Sequence, residues 1–262
     1  MPSPALPGAT PGSTARAEPT ERVDAIRTLA LVGPAGAGKT QLAEALLARA
    51  GAIATAGSVE RGSTTADFDP LEKRLQHSLS ASVLHAEHAG TRIHLVDTPG
   101  MADLIGHALP ALEAVETAVV VVNAAAGLEP MALRMLAHAA ERQRDRVIVV
   151  NRIDVPGVDL AALLAAIRQA CGRECLPLNL PVTRPDGSGT AVGVVDAFFN
   201  REGTSDFGPV AEAHRALVEQ VVEVDAGFVE RYLSEGDVDA AELHAPLEQA
   251  LREGHLIPVC FT

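Results

Sequence analysis

Residues 33 to 40 read Gly33-Pro34-Ala35-Gly36-Ala37-Gly38-Lys39-Thr40, a G-x-x-x-x-G-K-[ST] pattern set between the apolar run Thr28-Leu29-Ala30-Leu31-Val32 and a segment of helical periodicity from Lys39 to Leu47. A strand that ends in such a loop and reopens as a helix constrains the fold more than any other feature of the chain. Glycines let backbone N–H groups turn inward without Cβ obstruction, and the helix start aims further unpaired donors at the same point. A triphosphate is the ligand that suits this chemistry. Gly33 to Gly38, with Gln41, are expected to line its phosphates; Lys39 should reach the β and γ phosphates, and Thr40 should offer a hydroxyl to Mg²⁺.

With 262 residues, the chain can bury a full α/β core. Its hydrophobic content of 47% comes largely from Ala, Val and Leu, with no Trp and one Tyr, which suits helices packed on a parallel sheet and disfavours stacking on single-stranded bases. The net charge of −13 opposes a domain that reads DNA sequence, because such a domain carries a basic footprint. Cys171, Cys175 and Cys260 read as reduced structural cysteines of a cytoplasmic protein, since no His or Cys cluster completes a metal set beside them. No stretch reaches 18 uninterrupted apolar residues, so no membrane partner is expected.

Residues 1–22 are rich in Pro, Ala, Ser, Thr and Gly and are expected to form a disordered tail. Residues 51 to 80 form a long polar connection, of the kind that often switches beside a nucleotide. Ser82–Ala86 and Thr91–Val96 read as a hairpin, and Ala118–Asn123 and Arg146–Asn151 as doubly covered strands. Helical spacing covers Pro130–Arg142 and Asp159–Ala170. The alternation predicts an α/β fold with a mostly parallel sheet. Further on, Ala191–Phe199 reads as a strand, Val210–Leu233 as one long amphipathic helix, Ala240–Arg252 as another, and Leu256–Phe261 as a closing strand. The expected organisation is a nucleotide-binding domain over 23–175 and 254–262, interrupted by an α+β subdomain over 176–253.

Two further motifs select the nucleotide. Asn151-Arg152-Ile153-Asp154 falls at the end of a central strand, where open α/β sheets bind ligands. A carboxylate at Asp154 accepts two hydrogen bonds from guanine N1–H and its amino group; adenine offers no such pair. Upstream, Asp97-Thr98-Pro99-Gly100 supplies a carboxylate for Mg²⁺, through water, and a Gly100 N–H for the γ phosphate. That last bond exists only with the triphosphate, so the loop can report nucleotide state. An ATP-using kinase or ATPase is the reading that Asn151 and Asp154 oppose.

These motifs resemble those of the translational GTPases, and specifically the guanine-nucleotide domain of elongation factor G and its paralogues. Ser58 to Arg74 resembles the first switch of that family, and Val192–Asp196 with Val221–Leu233 resembles the subdomain that interrupts its GTPase fold. The resemblance implies a phosphate-loop GTPase that binds GTP and GDP with Mg²⁺ and hydrolyses GTP on the ribosome, to drive translocation or a related step. It also implies that Ser78 is the switch hydroxyl on Mg²⁺, with Ser80 as the competing choice. The family pattern places His after D-T-P-G, where it positions the attacking water. This chain has Met101, whose thioether accepts hydrogen bonds poorly. Either hydrolysis is slow and the chain acts as a GTP sensor, or another group orients the water; in the first case Met101→His raises ribosome-stimulated turnover. Family members continue beyond the equivalent of Phe261 into a Ser-Ala loop on the guanine and then into further domains. A piece ending at Thr262, cut or natural, is expected to hold guanine less tightly and not to translocate alone.

Smaller features have plainer readings. His77, His85, His88 and His94 are expected to be solvated or packing residues. The acidic series from Glu219 to Asp239 suits a solvated helix face or a basic ribosomal protein, and Arg61 and Arg74 suit an exposed loop or ribosomal RNA.

Overall fold

The computed structural model describes residues 23–184, 189–205, 207–235 and 242–262. Strand β1 (Ile26–Val32) leads through the glycine-rich loop into α1 (Lys39–Arg49). There follow α2 (Pro70–Leu75), β2 (Ser82–His88), β3 (Thr91–Asp97), α3 (Ile105–Glu113), β4 (Thr117–Asn123), α4 (Pro130–Glu141), β5 (Asp145–Asn151) and α5 (Leu160–Cys171). The remainder comprises β6 (Cys175–Pro177), β7 (Asn179–Thr183), β8 (Ala191–Asp196), the short β9 (Thr204–Ser205) and β10 (Gly208–Pro209), α6 (Val210–Val222), α7 (Ala226–Glu235), α8 (His244–Glu253) and β11 (Ile257–Phe261).

The large sheet has the order β2-β3-β1-β4-β5-β11-β6 and is parallel except for the β2–β3 hairpin. Its central strands alternate between two buried faces, as the period of two demands. Ala30, Val32, Val120, Val122, Ile148 and Val150 join Leu112, Met135 and Leu164 of α3, α4 and α5 in one core. Leu31, Val119, Val121 and Val149 face the other way, against Ala43 and Leu47 of α1. Covered on both faces, β1, β4 and β5 carry the continuous apolar runs Leu29–Val32, Ala118–Val122 and Val147–Val150. The chain moves outward from β1 in both directions, to β3 on one side and to β4 on the other. The C-terminal end of β1 is therefore a topological switch point, the place in such a sheet where ligands bind.

After β6 the chain leaves the sheet and returns as β11, which pairs with β5 on one side and β6 on the other. The segment between carries its own apolar cluster, including Leu180, Phe198, Leu217, Val221 and Leu243, with Leu176 and Leu256 at its base.

Several local expectations need correction. The stretch Val210–Leu233 is two helices, because Asp225 turns its carboxylate onto the backbone N–H groups of Gly227 and Phe228 at 2.8 and 3.1 Å and starts α7 afresh. Strand β8 stops at Asp196, whose Oδ1 accepts from Phe199 N at 2.7 Å, instead of running on to Phe199. The long polar connection contains α2, capped by Asp69 on Leu71 N at 2.7 Å with Pro70 at its first turn. Helix α3 and strands β6 and β7 were not anticipated; Pro110 sits inside α3 and masks its periodicity. The tail expected over 1–22 and the expected helix start at Ala240 lie outside the described residues.

Candidate phosphate and nucleotide site

The loop after β1 has three glycines in positive φ, at Gly33 (131°), Gly36 (76°) and Gly38 (90°). Gly33 is tightly enclosed, since a Cβ there would overlap the carbonyl oxygen of Val121 on β4. Lys39 lies in the hollow of the loop, and its Nζ donates to the carbonyls of Gly33 and Pro34 at 3.0 and 2.9 Å. Burial is the main influence on this ammonium and pushes its pKa down to about 8, against the opposing pull of Asp97 and Glu129. Gly100 comes so close that a Cβ would fall on Lys39 Nζ and on the backbone of Pro34 and Ala35. The second motif is thus folded directly onto the first, by register: Leu31 of β1 pairs with Asp97 of β3, and Thr98 Oγ1 donates to Leu31 O at 2.7 Å.

Behind the lysine is a cluster of oxygens. Thr40 Oγ1 donates to Asp97 Oδ2 at 2.6 Å, and Ser78 Oγ donates to Asp67 Oδ1 at 2.7 Å. The two hydroxyl oxygens are 3.2 Å apart. Each hydroxyl has a single proton, and each is committed to a carboxylate, so the lone pairs of Thr40 and Ser78 face a common space. Asp97 is 1% exposed, and its Oδ1 has no partner among the described residues. Burial raises its pKa to about 6, opposed by the Thr40 hydrogen bond and the Lys39 charge and reinforced by Asp67. A buried carboxylate of this kind is stabilised by a cation. Ser80 instead faces Glu72, whose Oε1 accepts from Ser80 N and Leu79 N at 3.2 and 2.8 Å.

A cavity of about 230 Å³ opens over the loop, lined by Ala35, Gly36, Gly38, Lys39, Thr40 and Gln41 on one side and by Val59, Glu60, Gln76, His77 and Ser78 on the other. Thr98, Gly100, Met101 and Arg152 also line it. Met101 is 39% exposed at its rim. Asn151 closes the far end of the loop by donating from Nδ2 to Ala37 O at 2.9 Å, and its Oδ1 accepts from Arg152 N at 2.8 Å. Arg152 adopts a left-handed φ of 62° that turns its side chain into the lining. Asp154 is exposed and stands outside that lining.

Sequence reasoning missed Asp67, Glu44 and the placement of His77. Asp67 is 3% exposed and also accepts from Thr64 Oγ1 at 3.1 Å. Glu44 is fully buried: its carboxylate accepts from Thr65 N and, at 2.8 Å, from Gly57 N, and so pins the loop between α1 and α2 to α1 at two points. Glu44 falls on the same stripe as Ala43 and Leu47, but the partners that give it a role come from a loop farther along the chain. Glu44→Ala orphans two backbone donors and is expected to cost about 2–4 kcal/mol in chemical denaturation, with Glu44→Gln losing less. Equal stability of Glu44→Ala and the parent would show that the loop between α1 and α2 is not anchored there.

This strand-loop-helix cradle at a topological switch point, backed by an oxygen cluster, defines a phosphate-loop nucleotide-binding domain. Residues 24–261 match the family model of the elongation factor Tu GTP binding domain. The chain is 33% identical over 245 residues to an elongation factor G-like protein of Mycobacterium tuberculosis, covering 89% of this chain and 34% of that one. It is 31% identical over 250 residues to elongation factor G 2 of Streptomyces coelicolor (90% and 36%) and 32% identical over 226 residues to peptide chain release factor 3 of Symbiobacterium thermophilum (76% and 42%). A crystal structure of a Thermus thermophilus protein superposes with a TM-score of 0.79 at 36% identity, over 90% of this chain and 37% of that one. The chain belongs to the elongation factor Tu GTP binding domain family, and is a GTP-binding domain of the elongation factor G-like type. It spans about a third of the length of the elongation factor G relatives it matches.

Proposed function

We propose that the chain is the GTP-hydrolysing domain of an elongation factor G-like factor, cycling between GTP and GDP on the ribosome in translocation or a related step. The observation that carries this reading is the closure of the first switch loop and the D-T-P-G loop over one phosphate cradle, with Ser78 and Gly100 both meeting P-loop atoms. Both loops would therefore sense the γ phosphate.

Within this reading, Lys39 exchanges its Gly33 and Pro34 carbonyls for β and γ phosphate oxygens, and the backbone N–H groups from Ala35 to Thr40 cradle the rest. The oxygen cluster fits Mg²⁺: Thr40 and Ser78 would present hydroxyl oxygens and Asp97 would act through water, with Asp67 holding Ser78 in place. When bound, the ion neutralises phosphate charge. Asn151 braces the loop, Arg152 covers the base with its stem, and Asp154 accepts from guanine once the base is seated. Residues 176–253 are read as the inserted subdomain, on the strength of their separate core and of the return of β11 to the sheet.

A second reading, a GTP sensor that signals by occupancy, draws on Met101 at the cavity rim. Steady-state phosphate release with and without 70S ribosomes separates the two. The enzyme reading expects ribosomes to raise turnover by about tenfold or more, within the range of water-positioning effects. Tight GTP binding with no ribosome effect would favour the sensor.

A further inference from the structure

Met101 brings no imidazole to the cavity, but the cavity has one. His77 is in its wall, next to Ser78 and sharing the lining with Gly100 and Met101. Its place there is built. Helix α2 ends at Leu75 and is capped by Gln76, which takes a left-handed φ of 57° and turns the chain so that residues 77 and 78 follow one another along the lining. The ring is oriented as well: His77 Nδ1 is 3.0 Å from Leu75 O. A carbonyl oxygen can only accept, so Nδ1 carries the hydrogen of this contact. In the neutral ring Nε2 is then left as an acceptor. Ser78 Oγ, one residue on, is 3.2 Å from the P-loop hydroxyl of Thr40, so the backbone carrying this ring is tied to the phosphate end of the cavity.

We propose that His77 orients the attacking water, the task for which Met101 lacks an acceptor of adequate strength. The inference rests on the reading that this chain hydrolyses GTP. In the step concerned, the water oxygen bonds to the γ phosphorus while the bond from that phosphorus to the β–γ bridging oxygen breaks. The electron pair of the broken bond leaves with GDP, and the proton lost by water ends on inorganic phosphate. His77 accepts a hydrogen bond from the water through Nε2, aligns it for attack, and is unchanged at the end. No other reactant is consumed. The apolar Met101 and the polar His77 would then have exchanged roles in the cavity relative to the family pattern.

The test compares the parent, His77→Ala, His77→Gln and the double variant His77→Ala/Met101→His, on 70S ribosomes. Single-turnover release of phosphate from γ-labelled GTP is measured alongside the Kd of a fluorescent GTP analogue. His77→Ala is expected to slow hydrolysis by about 10²-fold with Kd held within about threefold. His77→Gln, which keeps an acceptor, should stay nearer the parent, and the double variant should regain about tenfold or more. Equal hydrolysis by the parent and His77→Ala overturns the assignment and leaves the GTPase reading intact. A loss in His77→Ala matched by the same loss of GTP affinity also overturns it, since that is the mark of a structural residue. A parent that binds the analogue and releases no phosphate overturns both.

Discussion

Lys39→Ala is expected to weaken GTP binding by about 10²–10³-fold while the chain stays folded. The ammonium is buried in the hollow of the loop, where it already satisfies two carbonyls at 3.0 and 2.9 Å, and a phosphate replaces those neutral acceptors with charged ones. Hydrogen bonds to charged groups contribute about 1.5–3 kcal/mol each, so contacts to two phosphates sum to about 3–6 kcal/mol, and the expected loss falls in the lower part of that sum because two carbonyl bonds are given up on binding. The fold should survive, because burial makes this charge costly in the free chain and draws its pKa to about 8. Lys39→Arg should not restore binding: the hollow holds a point charge between Gly33 and Pro34, with Gly100 packed against it, and leaves no room for a planar fork. Titration with a fluorescent GTP analogue, with circular dichroism as the control for folding, measures both. GTP affinity within about threefold of the parent would show that the triphosphate is not held in this loop.

Asp154→Asn is expected to weaken GTP by about 10²-fold or more and to admit xanthosine triphosphate. A carboxylate accepts from both guanine N1–H and the exocyclic amino group. The amide retains one acceptor and turns a donor toward the other position, leaving an unmatched polar pair at about 1–3 kcal/mol for each lost bond. Xanthine carries a carbonyl where guanine carries the amino group and so suits the amide donor. Asp154 is exposed just beyond the end of β5, so the substitution should not alter stability. Competition between the two nucleotides for each variant reads the exchange directly. Unchanged preference for GTP in Asp154→Asn would place base recognition elsewhere, with Arg152 as the neighbouring cavity-lining group.

The parts of the site that were legible in the sequence are those whose chemistry depends on local spacing. Gly33 to Thr40, Asp97 to Gly100 and Asn151 with Arg152 each sit at the end of an apolar strand, and parallel registers such as Leu31 with Asp97 and Asn123 with Asn151 bring strand ends together without further information; Asp154 lies exposed outside the cavity lining. Asp67 and Glu44 were not legible, because what makes them matter is burial by a loop that returns from far along the chain. Glu44 has the look of an ordinary polar helix position until Gly57 and Thr65 fold onto it. His77 reads in the sequence as one of four solvated or packing histidines, yet a left-handed Gln76 brings it to the cavity wall. The fold shows the same division. Strands with continuous apolar runs are plain from composition, whereas the break in Val210–Leu233 depends on a single side-chain cap at Asp225, which amphipathic periodicity does not register.

In the proposed function, the oxygen cluster would tie the first switch to the Mg²⁺ position. Ser78 reaches Thr40 while its proton is held by Asp67, and Asp67 is held in turn by Thr64.

The most direct test of guanine-nucleotide recognition by this cradle is a paired equilibrium titration of the chain with GTP and with ATP in the presence of Mg²⁺. Binding to GTP tighter than to ATP by about 10²-fold or more is the result expected from two guanine hydrogen bonds that adenine cannot make. Equal affinity for the two nucleotides would contradict it.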